Sequence, residues 1–189
     1  MDQHKNDRSA DVAILAGGCF WCLEAVFDDL RGVESVENGY IGGATPDPSY
    51  EAVCSGRTGH AEAVRIVFDT DVISFTDLLE VFFVIHDPTT LNRQGADVGT
   101  QYRSEIFATT PDQFRQAEDA IRELSASREH AQPVVTALSE AGQFYPAEPY
   151  HDDYFRKNPY EGYCRAVIGP KVAKFRKRFA ERVKTTAAS

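Results

Sequence analysis

The sequence has few cysteines, no long apolar run and no surplus of basic charge, and each shortage removes a class of protein. Four cysteines in 189 residues, Cys19, Cys22, Cys54 and Cys164, are too few and too unevenly spaced to staple a secreted chain of this length. In a reducing compartment, clustered cysteines point instead to redox chemistry or metal. No segment approaches the roughly 20 apolar residues of a membrane span, and the opening residues 1–8 are polar, unlike a secretory signal. A soluble, cytoplasmic protein is expected. With 20 basic against 29 acidic residues and a net charge of −9, the sign is wrong for gripping nucleic-acid phosphates.

What remains is ample for one compact domain, with 42% hydrophobic residues. Residues 1–10 read as a disordered leader, 11–184 as a single catalytic domain and 185–189 as a frayed tail. The apolar run 11–16 stops at Gly17-Gly18, after which Phe20, Leu23, Val26, Phe27 and Leu30 recur at helical spacing. That pattern predicts a strand, a glycine turn and a helix. A second strand is expected over 33–40, a Gly/Pro loop over 41–48, and a third strand over 63–68. Ser74 then caps a helix with Phe75, Leu78, Leu79, Phe82 and Phe83 on one face.

Residues 102–109 read as a further strand, and Thr110-Pro111 with Gln113 as a capped helix start, Phe114, Ala117, Ile121 and Leu124 pointing inward. Another strand is expected over 133–138. Val172, Phe175, Phe179 and Val183 mark a last, basic helix whose charges read as a solvated face rather than a binding patch. Interspersed strands and helices suggest sheet-plus-helix layers in one αβ domain.

The chemistry centres on Gly17-Gly18-Cys19-Phe20-Trp21-Cys22. Cys19 falls where a strand gives way to a helix, and unpaired N–H groups and the helix dipole stabilise an anion there. A free thiol has a pKa of about 8.5, and this setting is one that lowers it, so Cys19 reads as a nucleophile rather than an inert buried cysteine. Phe20 and Trp21 fit either the core or the wall of an apolar pocket. Glu62 shares a strand side with Val64, Ile66 and Phe68, so burial should raise its pKa and let it serve as a general acid. An ion pair with Arg65 or Arg103 is the plainer alternative. Tyr102, in phase with Ile106, and Tyr50, after the Gly/Pro loop, could aim phenols into a cleft. A thiolate, a protonated carboxyl and phenolic donors suit attack on a sulfoxide, leaving a cysteine sulfenic acid that a second thiol converts to a disulfide.

The motifs Gly18-Cys19-Phe20-Trp21 with Glu24, Gly39-Tyr40-Ile41-Gly42-Gly43 to Tyr50, Cys54-Ser55-Gly56, Thr58-Gly59-His60-Ala61-Glu62 and Gly99-Thr100-Gln101-Tyr102-Arg103-Ser104 together resemble the A-type peptide methionine sulfoxide reductases. The resemblance spans residues 12–179. It implies an α+β two-layer sandwich with a ferredoxin-like core, a mixed sheet and additional helices and loops. It also implies reduction of the S epimer of methionine sulfoxide, free or in oxidised proteins, as protein repair after oxidative stress. No bound cofactor or metal is implied, and thioredoxin, or dithiothreitol in vitro, would supply electrons to a monomeric enzyme. Cys19 would be the nucleophile, Glu62 the proton donor, Tyr50 and Tyr102 the holders of the sulfoxide oxygen, and Phe20 and Trp21 the methyl pocket. Asp97 and His151 would contact the substrate's backbone.

The resolving thiol is open between Cys164, which a mobile C-terminal segment could bring to Cys19, and Cys22, which is near by sequence. Cys164 is favoured, because a pair within one helical turn must bend to disulfide geometry. Cys54 reads as a small buried residue. Two other readings compete. One is a thioredoxin-like dithiol oxidoreductase using Cys19 and Cys22; the other is a zinc-stabilised module built from Cys19, Cys22, Cys54 and His60, whose second pair lacks ordinary ligand spacing.

Overall fold

A computed structural model describes residues 9–185. Its strands are β1 (Ala10–Gly17), β2 (Val33–Ile41), β3 (Ala61–Asp69), β4 (Arg93–Gln94), β5 (Asp97–Val98), β6 (Ser104–Ala108), β7 (Ala137–Glu140) and β8 (Tyr145–Pro146). Its helices are α1 (Phe20–Phe27), α2 (Tyr50–Cys54), α3 (Phe75–Ile85), α4 (Pro111–Ser127), α5 (Tyr154–Lys157) and α6 (Gly169–Arg178). The main sheet runs β7-β6-β1-β3-β2-β8, with β4 and β5 forming a separate hairpin. Every pairing in the main sheet is antiparallel except β6 with β7. The order β6-β1-β3-β2 with α1 and α3 as crossovers is the ferredoxin-like βαββαβ arrangement, in the mixed α+β sheet expected from the sequence.

Alternation along the strands separates two apolar layers. Leu15, Val64, Ile66, Phe68 and Ile106 join Phe20, Leu23, Phe27, Leu78, Phe82 and Phe175 in the larger core between sheet and helices. Ile14, Ala16, Ala61, Ala63 and Phe107 form a smaller cluster on the opposite face, closed by Phe144. A one-residue slip of β3 would exchange these layers.

Most local signals are realised. Ser74 accepts from the Asp77 N–H while the Asp77 carboxylate accepts from the Ser74 N–H, a complete capping box. Thr110 caps α4, but the Gln113 side chain returns to the Thr109 N–H rather than to the cap residue and donates to Val12 O on β1. Gln113 thus anchors the helix to the sheet.

Residues 1–8 of the expected leader and 186–189 of the tail lie outside the described residues. Ser9 and Ala10, assigned to the leader, pair instead with the end of β3: Ser9 O accepts from Thr70, and Ala10 lies opposite Asp69. The strand expected at 102 begins at Ser104, because Thr100–Tyr102 form a 3-10 turn. The strand expected at 133 begins at Ala137, Val135 N–H being engaged by Pro88 O. The basic C-terminal stretch is largely exposed but is also stitched to acids. Arg176 pairs with Asp29, and Arg182 pairs with Asp77 and Glu80. Val183 bridges to Leu30.

Candidate active site

Cys19 occupies the cap position of α1, immediately after Gly18 at φ +97. The turn therefore delivers the thiol to the helix start, as the sequence indicates. Its ionisation does not follow the simple expectation. Burial raises the Cys19 pKa well above its ordinary value, and donation to Cys22 and the charge of Glu62 add to this, outweighing the Trp21 N–H that favours the thiolate. Cys22 moves the other way because it receives the Cys19 hydrogen bond. The helix terminus is real, yet an apolar, acid-flanked setting overrides it and keeps the resting Cys19 protonated.

Glu62 projects from β3 beneath this turn and is 1% exposed. Its carboxylate accepts a 3.0 Å hydrogen bond from the Phe20 N–H. Desolvation pushes its pKa up to about 8, the Phe20 bond opposing and the Asp97 charge reinforcing the shift. The ion-pair alternative is excluded, since Arg65 pairs with Glu37 and Arg103 with Glu105. Glu62 is therefore a neutral acid over most of the physiological range.

Tyr50 opens α2 and Tyr102 ends the 3-10 turn; both are half-buried. Both phenols are shifted upward by burial and then by the Glu62 charge, so they remain protonated donors. Tyr102 reaches this position from a turn rather than from the strand phase expected. Asp97, on β5, accepts a 2.6 Å hydrogen bond from the Tyr163 hydroxyl, whose oxygen lies 4.0 Å from Cys22 Sγ.

The two aromatics after Cys19 divide their roles. Phe20 is fully buried against Tyr40 and His151, whereas Trp21 is half-buried and stacks on Tyr154 at 3.7 Å and 5°. Trp21 alone of the pair offers surface. The Trp21 indole donates to His151 Nδ1 at 3.0 Å. His151 is itself 0% exposed, so in this conformation it supports the aromatic wall from behind rather than presenting a surface to a substrate backbone.

Cys164 is buried in a π-helical turn, close enough to Cys22 for the charge of one thiol to affect the other. All four cysteines are free. Cys54, expected inside, is exposed at the end of α2, with its thiol against Tyr50. The zinc grouping does not assemble, because the His60 ring is engaged by Gly43 N–H at Nδ1 and by Thr45 O at Nε2. Among the described residues no three His, Cys, Asp or Glu side chains are grouped to hold a metal, and no helix is long and apolar enough to cross a membrane.

Sequence reasoning missed Tyr154, Tyr163 and Glu148. Tyr163 directly precedes Cys164, and Glu148 stands between Pro146 and Pro149, so neither carried a periodic signal. Glu148 accepts from the Tyr40 hydroxyl, the Tyr50 N–H and the Tyr150 hydroxyl.

The family model described as peptide methionine sulfoxide reductase matches residues 11–183. Peptide methionine sulfoxide reductase MsrA of Polynucleobacter asymbioticus is 57% identical over 175 residues, covering 93% of this chain and 92% of the relative. The MsrA of Deinococcus radiodurans is 56% identical, covering 92% and 84%. Among solved structures, reduced Mxr1 from Saccharomyces cerevisiae superposes with a TM-score of 0.75 at 34% identity, covering 82% of this chain and 89% of that one. Mxr1 in complex with Trx2 shares the fold at 21% identity, with a TM-score of 0.54 over 79% and 87% of the two chains.

Proposed function

The chain belongs to the peptide methionine sulfoxide reductase family, and from that premise we propose how its residues divide the reduction of methionine sulfoxide. The observation that carries the reading is the buried Glu62 carboxyl, tied to the Phe20 N–H one residue beyond Cys19. Cys19 Sγ attacks the sulfoxide sulfur while Glu62 gives its proton to the oxygen, which Tyr50 and Tyr102 hold. The hydroxyl passes to Cys19, leaving the thioether and a sulfenic acid, and the proton lost by the Cys19 thiol restores Glu62. Sulfoxide sulfur gains two electrons and Cys19 loses two.

Cys22 then attacks the sulfenic acid, forming a disulfide and releasing the hydroxyl with the Cys22 proton as water. The sequence favoured Cys164 for this step. Cys22 is favoured here because it lies one helical turn beyond Cys19, at the start of α1, and its thiol is shifted toward the thiolate; Cys164 would then accept the disulfide by exchange. A thioredoxin dithiol supplies the two electrons and two protons that regenerate the thiols; the yeast protein of this fold solved with Trx2 supports that choice.

Trp21 lines the methyl pocket with Phe20 behind it, and Asp97 receives the substrate's backbone. The reading extends to the S epimer, free or in oxidised proteins, and to a monomeric cytoplasmic repair enzyme whose residues 11–184 form one catalytic domain. The dithiol oxidoreductase alternative leaves Glu62, Tyr50 and Tyr102 without a task. The test is dithiothreitol-driven reduction of epimerically pure methionine sulfoxide peptides. Wild type, Cys22→Ser and Cys164→Ser should turn over the S epimer, and Cys19→Ser should not; turnover by Cys19→Ser, or of the R epimer alone, refutes the assignment.

A further inference from the structure

The segment carrying Glu148 and His151 is bound on every side to the elements of the site. Ala147 N–H donates to Asn38 O, Asn38 Nδ2 donates to His151 O, and Asp153 N–H donates to the buried Glu24 carboxylate. Within this frame the Glu148 side chain, one-third exposed, makes three contacts. Its Oε1 accepts from the Tyr40 hydroxyl at 3.0 Å, and its Oε2 accepts from the Tyr50 N–H at 3.2 Å and the Tyr150 hydroxyl at 3.3 Å.

The same Oε2 lies 4.0 Å from His151 Nε2, which is buried and has no hydrogen-bond partner. An indole N–H can only donate, so His151 Nδ1, which receives it, must be bare and the neutral imidazole must carry its proton on Nε2. The proton so placed is on the nitrogen nearest the Glu148 carboxylate, 4.0 Å away, a charge contact longer than a hydrogen bond. In a low-dielectric interior the negative charge favours this tautomer over the reverse one, which would leave the Trp21 indole without an acceptor.

We infer that Glu148 is a positioning residue: through His151 it fixes the imidazole that holds the Trp21 indole, and through the Tyr50 N–H it fixes the start of α2. One carboxylate thereby aligns the aromatic wall of the pocket with the phenol that holds the sulfoxide oxygen. The inference rests on the assignment of Trp21 and Tyr50 as substrate contacts. Ground-state alignment of this kind affects substrate binding more than the chemical step, so its loss appears in KM.

Trp21 is the only tryptophan in the chain, so its fluorescence reports this linkage directly. Protonating His151 puts a hydrogen on Nδ1 and ends the indole bond, so Trp21 emission should titrate with the imidazole. The groups facing that ring are the carboxylates of Glu148 and Asp152 and the phenols of Tyr50 and Tyr150. Of these, Glu148→Gln removes only the nearest charge while retaining an acceptor oxygen.

The experiment compares wild type, Glu148→Gln, Glu148→Ala and His151→Asn, each as the full chain, by thermal melting, peptide sulfoxide kinetics with dithiothreitol, and Trp21 fluorescence without substrate. Glu148→Gln should fold, raise KM several-fold with kcat within about twofold, and move the fluorescence midpoint to lower pH. Glu148→Ala should raise KM further, while Glu148→Gln keeps the test valid if the alanine variant does not fold. In His151→Asn, whose amide oxygen can accept the indole, the titration should vanish, and adding Glu148→Gln should leave Trp21 emission unchanged. An unmoved midpoint in Glu148→Gln, or a fall in kcat as large as that in kcat/KM, overturns the inference. If wild type fails to reduce the peptide, the substrate assignment fails; the substrate-free titration still decides whether Glu148 governs Trp21.

Discussion

Glu62 and Phe20 are joined by a 3.0 Å hydrogen bond from the Phe20 backbone N–H to the Glu62 carboxylate, although 42 residues separate them in sequence. The bond ties the acid on β3 to the first turn of the helix that carries the nucleophile. Only the protonated carboxyl can donate to a departing oxygen, and its pKa is pushed up to about 8. The single-turnover rate should therefore fall as pH rises through about 8. Glu62→Gln should lower that rate by about 10²- to 10⁴-fold and remove the dependence assigned to this group. A Gln variant within tenfold of wild type would deny Glu62 its role as the acid.

The same burial has a thermodynamic consequence. An unfolded glutamate ionises near about 4.3, whereas folded Glu62 keeps its proton to about 8. Between these values the folded state binds the extra proton, so this group's contribution is complete below the unfolded value and is lost as pH rises through the folded one. Glu62→Gln should flatten this part of the stability profile and gain on wild type toward alkaline pH, by on the order of a few kcal/mol. Urea denaturation of both proteins at pH values on either side of the transition checks the sign.

The thiol order can be read by trapping. With one equivalent of sulfoxide and no reductant, wild type should lose two thiols per turnover, and Cys22→Ser should accumulate the Cys19 sulfenic acid or pass it slowly to Cys164. With thioredoxin as the sole reductant, Cys22→Ser should lose at least about tenfold in steady-state rate while keeping its dithiothreitol activity. Peptide mapping of the wild-type disulfide after one turnover identifies the partner. A Cys19–Cys164 bond formed as fast as the sulfenic acid disappears would return the resolving role to Cys164.

How much of this was legible in sequence depended on whether a residue's role was local. Ser74, Thr110 and the Gly17-Gly18 turn declare themselves within a few positions, and the strand side shared by Glu62, Val64 and Ile66 follows from a two-residue period. Tyr102 was placed near the correct neighbours for the wrong reason, since a hydrogen bond from its N–H to Gly99 O makes a turn where periodicity suggested strand. His151 was named through the family resemblance, but its bond to Trp21 and the part played by Glu148 depend on contacts with α1, β2 and α2, more than 95 residues away in each named hydrogen bond. The Cys19 ionisation failed for a related reason. Sequence locates the helix start, but the desolvation that overrides it comes from packing.

Gly18 offers a test of how closely the turn is built. Its φ of +97 disfavours any side chain, and a Cβ there would lie 2.6 Å from Cγ and 2.9 Å from Cβ of Gln94. Gln94 cannot simply swing aside, because its amide accepts from the Asp87 N–H and donates to the Asp87 carbonyl. Gly56 has a comparable φ of +73, and a methyl group added there would meet nothing within 4 Å, so Gly56→Ala isolates the backbone cost, about 1–3 kcal/mol. Gly18→Ala should exceed that loss in urea denaturation and should also slow sulfenic acid formation, because relieving the clash displaces Cys19 from the Glu62 carboxyl. Equal losses in the two variants would show that the Gln94 contact does not constrain the nucleophile.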